Sequence, residues 1–192
     1  MLTNTVRIIG GKWRGKKLSF PSIPGLRPSP DRIRETVFNW IQFELPNSRV
    51  LDLFAGSGVF GFEALSRGAA YTVFVEKDAK AVAQLKIHCR EMRIENAHIE
   101  HCDALQFLNE PAGQPPFDVV FLDPPYGKDL LAPCINDLEQ QHILADKAFI
   151  YLEVESNRPL PALPSHWRLH RSKHSGQVSY HLAIRETHRP SA

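Results

Sequence analysis

The glycine-rich segment at residues 50–61, VLDLFAGSGVFG, constrains the fold of this chain more than any other stretch. The apolar run that meets Asp52 is typical of a buried strand, and apolar residues return at helical spacing after Gly61. The spacing Gly56-x-Gly58-x-x-Gly61 allows positive φ angles and a close approach of a ligand to the backbone. We therefore predict a strand, a tight turn and a helix whose first N–H groups face electron-rich groups of a ligand.

A carboxylate follows the next apolar run. The residues Tyr71–Val75 predict a second strand, and Glu76 comes directly after it, about 20 residues past the glycines. In nucleotide-binding folds a carboxylate at this distance binds the ribose hydroxyls. These two segments therefore predict a nucleoside ligand, with Glu76 and its neighbour Lys77 among the contacts.

Strands and helices alternate over residues 49–154, and this alternation predicts an α/β fold, a doubly wound, Rossmann-like sheet that is mostly parallel. Two further strands joined by Ser175-Gly176 predict an antiparallel pair at the sheet edge, with an antiparallel C-terminal strand. Four strands end at or beside an acid, and we expect the four acids to form one rim where ligands bind. They are Asp52, Glu76, Asp103 and Asp123.

Residues 1–28 predict a small basic β-hairpin with a linker rich in Pro and Gly, attached to a domain at residues 29–192. Residues 1–34 carry a net charge of +7 and residues 158–192 carry +5, whereas the part between them carries −10. Basic ends around an acidic body predict a polyanion bound along one edge, and an aromatic ring among cations can stack on a base. Alternatively, the Trp of the hairpin packs it onto the body. The candidate contacts to this polyanion are Lys12, Trp13, Arg14, Lys16, Lys17, Arg27 and Arg32.

A helix is predicted after the linker. Ser29 is expected to cap it, Pro30 to occupy its first position and Pro46 to end it. The periodicity places apolar residues on one face and charged residues off that face. The first group is Ile33, Val37, Trp40 and Ile41, and the second is Arg32, Arg34 and Glu35.

Length and composition narrow the class of protein. The 192 residues suit one domain, and no apolar run is long enough to span a bilayer. The three cysteines are isolated and no apolar signal core begins the chain, so we expect a cytoplasmic protein without a membrane anchor. A monomer is expected, although the sequence itself does not settle the oligomeric state. His166, His170 and His174 fall on a predicted strand, over too long a reach for one ion, so no metal is expected.

The segment Asp123-Pro124-Pro125-Tyr126, after the fourth predicted strand of the alternating region, is the most specific chemical signal. The amino group of a nucleobase is a poor nucleophile, because its lone pair is delocalised into the ring. A carboxylate and a backbone carbonyl that accept its two N–H bonds can hold it facing an electrophilic methyl group. The prolines stiffen the loop without competing N–H groups, and the Tyr126 ring offers a stacking face for an extruded base.

In the order of these motifs the chain resembles class I S-adenosylmethionine-dependent methyltransferases. It is similar, more closely, to the bacterial 16S rRNA guanine-N2 methyltransferases of the RsmD type, and this likeness covers nearly the whole chain. The class motifs are Asp52-x-Phe54-Ala55-Gly56-Ser57-Gly58, Glu76, Asp103-Ala104 and Asp123-Pro124-Pro125-Tyr126. The group-specific segments are residues 7–15 (RIIGGKWRG), 25–28 (GLRP), 31–40 (DRIRETVFNW) and 176–178 (GQV).

The resemblance implies methylation of the exocyclic N2 of one guanine in 16S ribosomal RNA, position 966 in the usual numbering, with a small-subunit assembly particle as the expected partner. It also implies roles for residues. Asp123-Pro124-Pro125-Tyr126 would present the guanine, and the basic hairpin with Arg27 would hold RNA. S-adenosylmethionine would be held by Asp52, Phe54, Ala55, Gly56, Ser57, Gly58 and Gly61 at its methionine part, by Glu76 at its ribose, and by Asp103 and Ala104 at its adenine.

Three other functions fit parts of the pattern. A DNA adenine-N6 methyltransferase would use the same Asp-Pro-Pro-Tyr segment, but this chain has no room for a separate target-recognition domain. A nicotinamide dehydrogenase would use the glycines and Glu76, but no separate substrate domain follows, and Asp52 stands where dinucleotide sites have an apolar residue. An RNA-binding assembly factor without activity would not need the intact segment at Asp123.

Overall fold

The computed structural model describes residues 3–23, 28–110 and 113–187. Strands β1 (Thr3–Arg7) and β2 (Lys17–Pro21) form an antiparallel hairpin that is separate from the central seven-stranded sheet. The strands of the central sheet are β3 (Arg49–Asp52), β4 (Tyr71–Val75), β5 (Ala97–Glu100), β6 (Phe117–Leu122), β7 (Leu144–Glu155), β8 (Trp167–Ser175) and β9 (Val178–Glu186). The helices are α1 (Asp31–Trp40), α2 (Val59–Ser66), α3 (Ala79–Met92), α4 (Ala104–Asn109) and α5 (Leu131–Gln140).

The central sheet has the order β5-β4-β3-β6-β7-β9-β8. The first five strands in this order are parallel, and β9 runs antiparallel to both of its neighbours. The predicted doubly wound, Rossmann-like α/β fold with an antiparallel C-terminal strand is therefore confirmed. The strand order reverses between β3 and β6, and in such sheets ligands bind in the crevice beyond the carboxyl ends of the strands at that point.

Successive residues of the inner strands are buried on opposite faces of the sheet. Val50 and Phe74 pack against the face covered by α1, α2, α3 and the hairpin, whereas Leu51 and Val73 pack against the face covered by α4 and α5. Burial on both faces explains why these strands read as continuous apolar runs. Packing on both faces holds the five parallel strands in place, so that their carboxyl ends lie along one edge of the sheet.

The hairpin packs directly on α2. The Ile9 N–H donates to Glu63 Oε2 at 2.7 Å, and the Ser66 hydroxyl donates to the Gly10 carbonyl at 2.6 Å. At Gly11 a Cβ atom would lie 1.9 Å from the Ser66 carbonyl oxygen, so no larger residue fits there. Hairpin side chains also enter the core beside α1 and α2; they are Ile8, Leu18 and Phe20.

The predictions for α1 need three corrections. Ser29 makes no capping bond, because its hydroxyl faces carboxylates at the end of the sheet, and Pro30 stands at the N-cap position. The helix ends at Trp40, where Ile41 leaves helical geometry, well before Pro46. Arg34 is fully buried rather than outward-facing, because carboxylates compensate its charge.

The C-terminal strands confirm the predicted antiparallel pair at the sheet edge. Of the two strands only β8 lies at the edge, and β9 is inserted between β7 and β8. Nearly every residue of β9 is buried, so β9 needs a neighbour on each side, whereas β8 is exposed over almost its whole length. Within the residues described, the helices are all too short or too polar to cross a bilayer.

Candidate active site

The glycine turn connects β3 to α2 with two left-handed residues. Gly56 has φ +52° and Gly58 has φ +75°, and Gly58 is the N-cap residue of α2. A Cβ atom at Gly58 would lie 2.3 Å from Leu85 Cδ2. A Cβ atom at Gly61 would lie 2.2 Å from the Phe74 ring, so this third glycine lets α2 pack closely on β4.

Glu76 is held at the end of β4 by two backbone donors. The Gly56 N–H donates to Glu76 Oε2 and the Asp78 N–H to Glu76 Oε1, both at 2.7 Å. Each carboxylate oxygen has further lone pairs, so the side chain can still accept bonds from two adjacent hydroxyls. The glycine turn and Glu76 therefore form one rigid unit, as the prediction of a shared ligand requires.

Asp52 lies beneath the glycine turn and is almost fully buried. Its Oδ2 accepts the Gly61 N–H at 3.0 Å. Burial raises the pKa of Asp52 to about 7, and the neighbouring charge of Glu76 acts in the same direction, against the hydrogen bond from Gly61. The carboxyl thus ties the start of α2 to the end of β3 and sits close to Glu76.

The predicted rim of acids follows the order of the strands. Along the sheet edge come Asp103 after β5, Glu76 after β4, Asp52 at the end of β3 and Asp123 after β6. Asp103 caps α4, since its Oδ1 accepts the Leu105 N–H at 3.0 Å. The strands that end in Asp52 and precede Asp123 are direct neighbours, so the glycine turn and the Asp-Pro-Pro-Tyr segment lie side by side.

Asp123 belongs to a group of hydroxyls and carboxyls that we call the acid cluster: Asp123, Glu153, Ser29, Tyr126 and Tyr151. Glu153 lies on β7 and is almost fully buried. Its Oε1 accepts the Tyr126 hydroxyl at 3.1 Å, and its Oε2 accepts the Tyr151 hydroxyl at 2.6 Å. The Ser29 hydroxyl lies 3.2 Å from Asp123 Oδ2 and 3.0 Å from Glu153 Oε2.

The geometry around Ser29 indicates a shared proton in the acid cluster. A serine hydroxyl carries one hydrogen to donate. Both contacts are hydrogen bonds at once when the hydroxyl hydrogen is shared between the two carboxyls, or when one carboxyl is protonated and donates to Ser29 Oγ. Burial, followed by the charge of Glu153, raises the pKa of Asp123 well above its usual value, in agreement with a proton held by this pair.

A cavity of about 270 Å³ opens beside the acid cluster. Pro124, Pro125 and Tyr126 line one side of it, and Glu153, Glu155 and Arg158 line another. Burial and the charge of Glu153 raise the pKa of Tyr126, so its hydroxyl remains a hydrogen-bond donor at neutral pH. The cavity therefore combines a half-exposed aromatic ring, an acidic wall and one cation.

Most of the predicted RNA contacts lie on the surface. Lys12, Arg14, Lys17 and Arg32 are exposed, and exposed Lys16 pairs with Glu91 at 3.2 Å. Trp13 is only partly exposed and packs against the core, in line with the alternative role given to it above. Arg27 lies outside the described residues.

A second buried polar group holds the hairpin to the domain, and we call it the anchor cluster: Asp31, Arg34, Glu63 and Arg67. Arg34 Nη2 lies 2.5 Å from Asp31 Oδ1, and its Nη1 lies 3.6 Å from Glu63 Oε2. Glu63 Oε1 accepts Arg67 Nε at 2.7 Å. Arg34 Nε also donates to the Ser29 carbonyl at 3.1 Å, so Ser29 links the anchor cluster to the acid cluster.

Sequence reasoning missed three members of the acid cluster, Ser29, Tyr151 and Glu153. A signal for Glu153 existed, because it is a charged residue within the apolar run of a buried strand. No local signal distinguishes Ser29 from a helix cap. Among residues 3–23, 28–110 and 113–187, no three His, Cys, Asp or Glu side chains come together in a way that could hold a metal ion.

Comparison with known proteins gives consistent matches over nearly the whole chain. The family model described as "Conserved hypothetical protein 95" matches residues 6–184. "Ribosomal RNA small subunit methyltransferase D" of Escherichia coli K12 is 46% identical over 181 residues, which cover 94% of this chain and 90% of the relative. The protein of the same name from Haemophilus influenzae is 45% identical over 179 residues and 92% of each chain.

Solved structures agree with these matches. The structure of the Escherichia coli protein yhhF has a TM-score of 0.87 and 43% identity, and covers 96% of this chain and 100% of its own. An RNA methyltransferase from Salinibacter ruber in complex with S-adenosyl-L-homocysteine has a TM-score of 0.62 at 14% identity, over 86% of this chain and 98% of its own, which shows a common fold. Taken together with the motifs around Gly56 and Asp123, these matches show that the chain belongs to the RsmD family of ribosomal RNA small subunit methyltransferases.

Proposed function

We propose that this protein transfers a methyl group from S-adenosylmethionine to the exocyclic N2 of a guanine in small-subunit ribosomal RNA, guanine 966 in the usual numbering. The observation that carries the proposal is the juxtaposition of two neighbouring strand ends. The glycine turn with Glu76 follows β3 and β4, and Asp123 with its acid cluster follows β6, the direct neighbour of β3. Family membership supports ribosomal RNA as the substrate.

The residues beside β3, β4 and β5 fit a nucleoside cofactor. Glu76 presents both carboxylate oxygens at the strand end and suits two ribose hydroxyls. Asp103 and Ala104 at the start of α4 suit the adenine, and Lys77 lies exposed beside them. The methionine part would lie along Phe54, Ala55, Gly56, Ser57 and Gly58, above Asp52, while Gly61 contributes through its packing on Phe74. When bound, the cofactor supplies an electrophilic methyl group.

The acid cluster suits the amino group of a guanine. Guanine presents N1–H and N2–H donors on its Watson–Crick edge, whereas adenine presents N1 as an acceptor. An edge with adjacent donors matches the carboxyls of Glu153 and Glu155, which line the cavity, and that of Asp123, which meets Glu153 at the Ser29 hydroxyl. Asp123 would accept an N2–H bond and orient the nitrogen, Pro124 and Pro125 would fix the loop, and Tyr126 would stack on the base.

The proton balance of the reaction also suits the shared-proton pair. Methylation of an amino nitrogen leaves it with one proton too many, and a carboxylate in contact with that nitrogen can accept it. Asp123, whose pKa is raised, is a better proton acceptor than an ordinary aspartate. Glu153 acts through Asp123 and is therefore a positioning residue.

The wider context remains part of the proposal. Ribosomal RNA within a small-subunit assembly particle would be the partner, the protein would act as a monomer, and the site of action would be the bacterial cytoplasm. The relatives are named for ribosomal RNA, so the DNA adenine-N6 alternative is set aside.

The test is a methyl-transfer assay on small ribosomal subunits from cells that lack the protein. Labelled S-adenosylmethionine is used, and mass spectrometry identifies and maps the modified nucleoside. We expect N2-methylguanine at one position. N6-methyladenine, or N2-methylguanine at many positions, would contradict the proposal.

The Asp123→Ala variant tests the assignment of the site in the same assay. We expect it to fold, to bind S-adenosylhomocysteine in calorimetry, and to lose turnover by about a hundredfold or more, as for a positioned proton acceptor. Turnover close to that of the wild type would show that Asp123 does not face the reacting amino group.

A further inference from the structure

Strand β8 is the most exposed strand of the central sheet. It forms the edge beyond β9, and residues 168–174 are all exposed. The neighbouring strand β9 is buried over almost its whole length. The side chains of β8 therefore contribute little to the core, and their basic character needs a different explanation.

A β-bulge places the three cations of β8 on one face. Arg168 pairs with Ile184 before the bulge, and Arg171 and Lys173 pair with Leu182 and Tyr180 after it. Without the extra residue between Leu169 and Arg171, residues 168 and 171 would lie on opposite faces. Because directly paired residues share a face, all three cations lie on the face that packs against α1 and the hairpin, where Tyr180, Leu182 and Ile184 belong to the core.

The register brings this basic stripe, Arg168, Arg171 and Lys173, level with the active site. Lys173 pairs with Tyr180, and Tyr180 pairs in turn with Glu153 of the acid cluster. Two strand spacings separate Lys173 from Glu153, which is a distance of about 10 Å between backbones. Since β8 runs in the same direction as β7, the stripe leads towards the edge of the sheet that carries Asp123.

Two of these cations have no ionic partner in the part of the chain that the structure describes. Arg168 lies 3.5 Å from Glu186, but neither Arg171 nor Lys173 forms an ion pair there. Lysines on an edge strand also prevent sheets from joining edge to edge. That role does not require three cations on one face, level with the acid cluster.

We propose that Arg171 and Lys173 of strand β8 bind phosphate groups of the ribosomal RNA that flanks the target base. The phosphate backbone is the polyanion that the proposed substrate supplies, so this inference rests on the proposed function. The exposed cations of the hairpin and Arg32 of α1 belong to elements on the same face of the sheet. Cations from both basic ends of the chain thus lie on one face of the sheet, and β8 adds a second group of cations to that face.

The experiment measures binding of fluorescently labelled protein to small ribosomal subunits from cells that lack it, across a range of salt concentrations. The Arg171→Gln/Lys173→Gln variant is compared with the Lys86→Gln/Lys147→Gln variant, which removes two exposed cations, on α3 and near the amino end of β7, away from the acid cluster. For the β8 variant we expect a Kd about tenfold higher and a log–log salt slope smaller by about 2, one for each lost phosphate contact. Its kcat at saturating subunits and its Kd for S-adenosylhomocysteine should stay unchanged, and the control should bind like the wild type.

Equal Kd values and equal salt slopes for the two variants would overturn the proposal. A β8 variant whose only change is self-association, with unchanged binding to subunits, would overturn it as well. The failure of the proposed function gives a different result. In that case the wild type binds subunits in a salt-dependent way and the salt slope is smaller for the β8 variant, yet the mapped product is not N2-methylguanine.

Discussion

The anchor cluster and the acid cluster are each built around a buried charged residue, Arg34 and Glu153, both touch the start of α1, and differ in their balance of charge. The anchor cluster combines two carboxylates with two guanidinium groups, and Arg7 reaches Asp31 from outside at 2.7 Å. The acid cluster combines two carboxyls with three hydroxyls, and within residues 3–23, 28–110 and 113–187 no cation pairs with its carboxyls. Ser29 belongs to the acid cluster through its hydroxyl and contacts the anchor cluster through its carbonyl.

The difference shows in the protonation of the two clusters. Burial alone would raise the pKa of Asp31, yet Arg7 and Arg34 hold it below its usual value. In the acid cluster burial and like charge act together, and the pKa of Asp123 rises. A compensated group holds elements in place, whereas an uncompensated group of carboxyls has a raised proton affinity and suits a proton acceptor. Burial of charge therefore identifies a reactive site only when the opposite charge is missing.

The largest effect on stability is expected when the negative charge that compensates the two arginines is removed from the anchor cluster. Glu63→Gln keeps the shape and an acceptor for the Ile9 N–H, but leaves Arg34 and Arg67 facing a neutral group. We expect the free energy of unfolding to fall by about 3 kcal/mol, as for a broken buried ion pair. Urea denaturation measures it, with Glu35→Gln on the exposed face of α1 as the control. A loss no larger than that of the control, about 0.5 kcal/mol, would show that the cluster is not an anchor.

A smaller effect of a different kind is expected from Glu153→Gln in the acid cluster. The introduced amide still accepts from a tyrosine hydroxyl but carries no charge, so the pKa of Asp123 should fall and the ascending limb of the kcat–pH profile should move to lower pH. Because a less basic carboxylate accepts a proton less readily, kcat at its plateau should fall about tenfold. Unlike Glu63→Gln, the change removes a buried like charge, so the free energy of unfolding should not decrease.

The control for this variant is Glu95→Gln, an exposed residue beyond α3. It should leave both the pH profile and the plateau unchanged. A profile for Glu153→Gln that keeps its midpoint would mean that Glu153 does not act on the titration of Asp123.

The sequence predicted elements better than it predicted long-range contacts, and the two clusters show why. Strand β4 has the predicted bounds Tyr71–Val75, because a continuous apolar run acts locally. Strand β7 begins at Leu144 and includes the polar residues Asp146 and Lys147, because the strand pairs there with Phe117 and with β9.

The residues of the candidate site were predictable from the sequence where they belong to one continuous segment. The glycine turn, Glu76 and Asp123 were identified as parts of one rim, and the strand order puts them along one edge. The burial of Arg34 and the contacts of Ser29 with Glu153 depend on residues 29 and 124 positions away in sequence. The helical period of 3.6 residues predicts which residues share one face of a helix. It contains no information about a carboxylate from a distant segment that pairs with a charged side chain on that face.

The smallest effect is expected at the exposed margin of the anchor cluster, and it separates burial from pairing as the source of stability. Arg7 and Asp31 are paired at 2.7 Å, but their side chains are 66% and 41% exposed. Arg7→Gln should therefore lower the free energy of unfolding by less than about 1 kcal/mol, and added salt should reduce the difference further. A double-mutant cycle with Asp31→Asn in urea measures the coupling between the two side chains. A coupling energy as large as the loss of unfolding free energy expected for Glu63→Gln would mean that solvent exposure does not weaken this pair. The distinction between a buried, compensated core and its exposed margin would then be wrong.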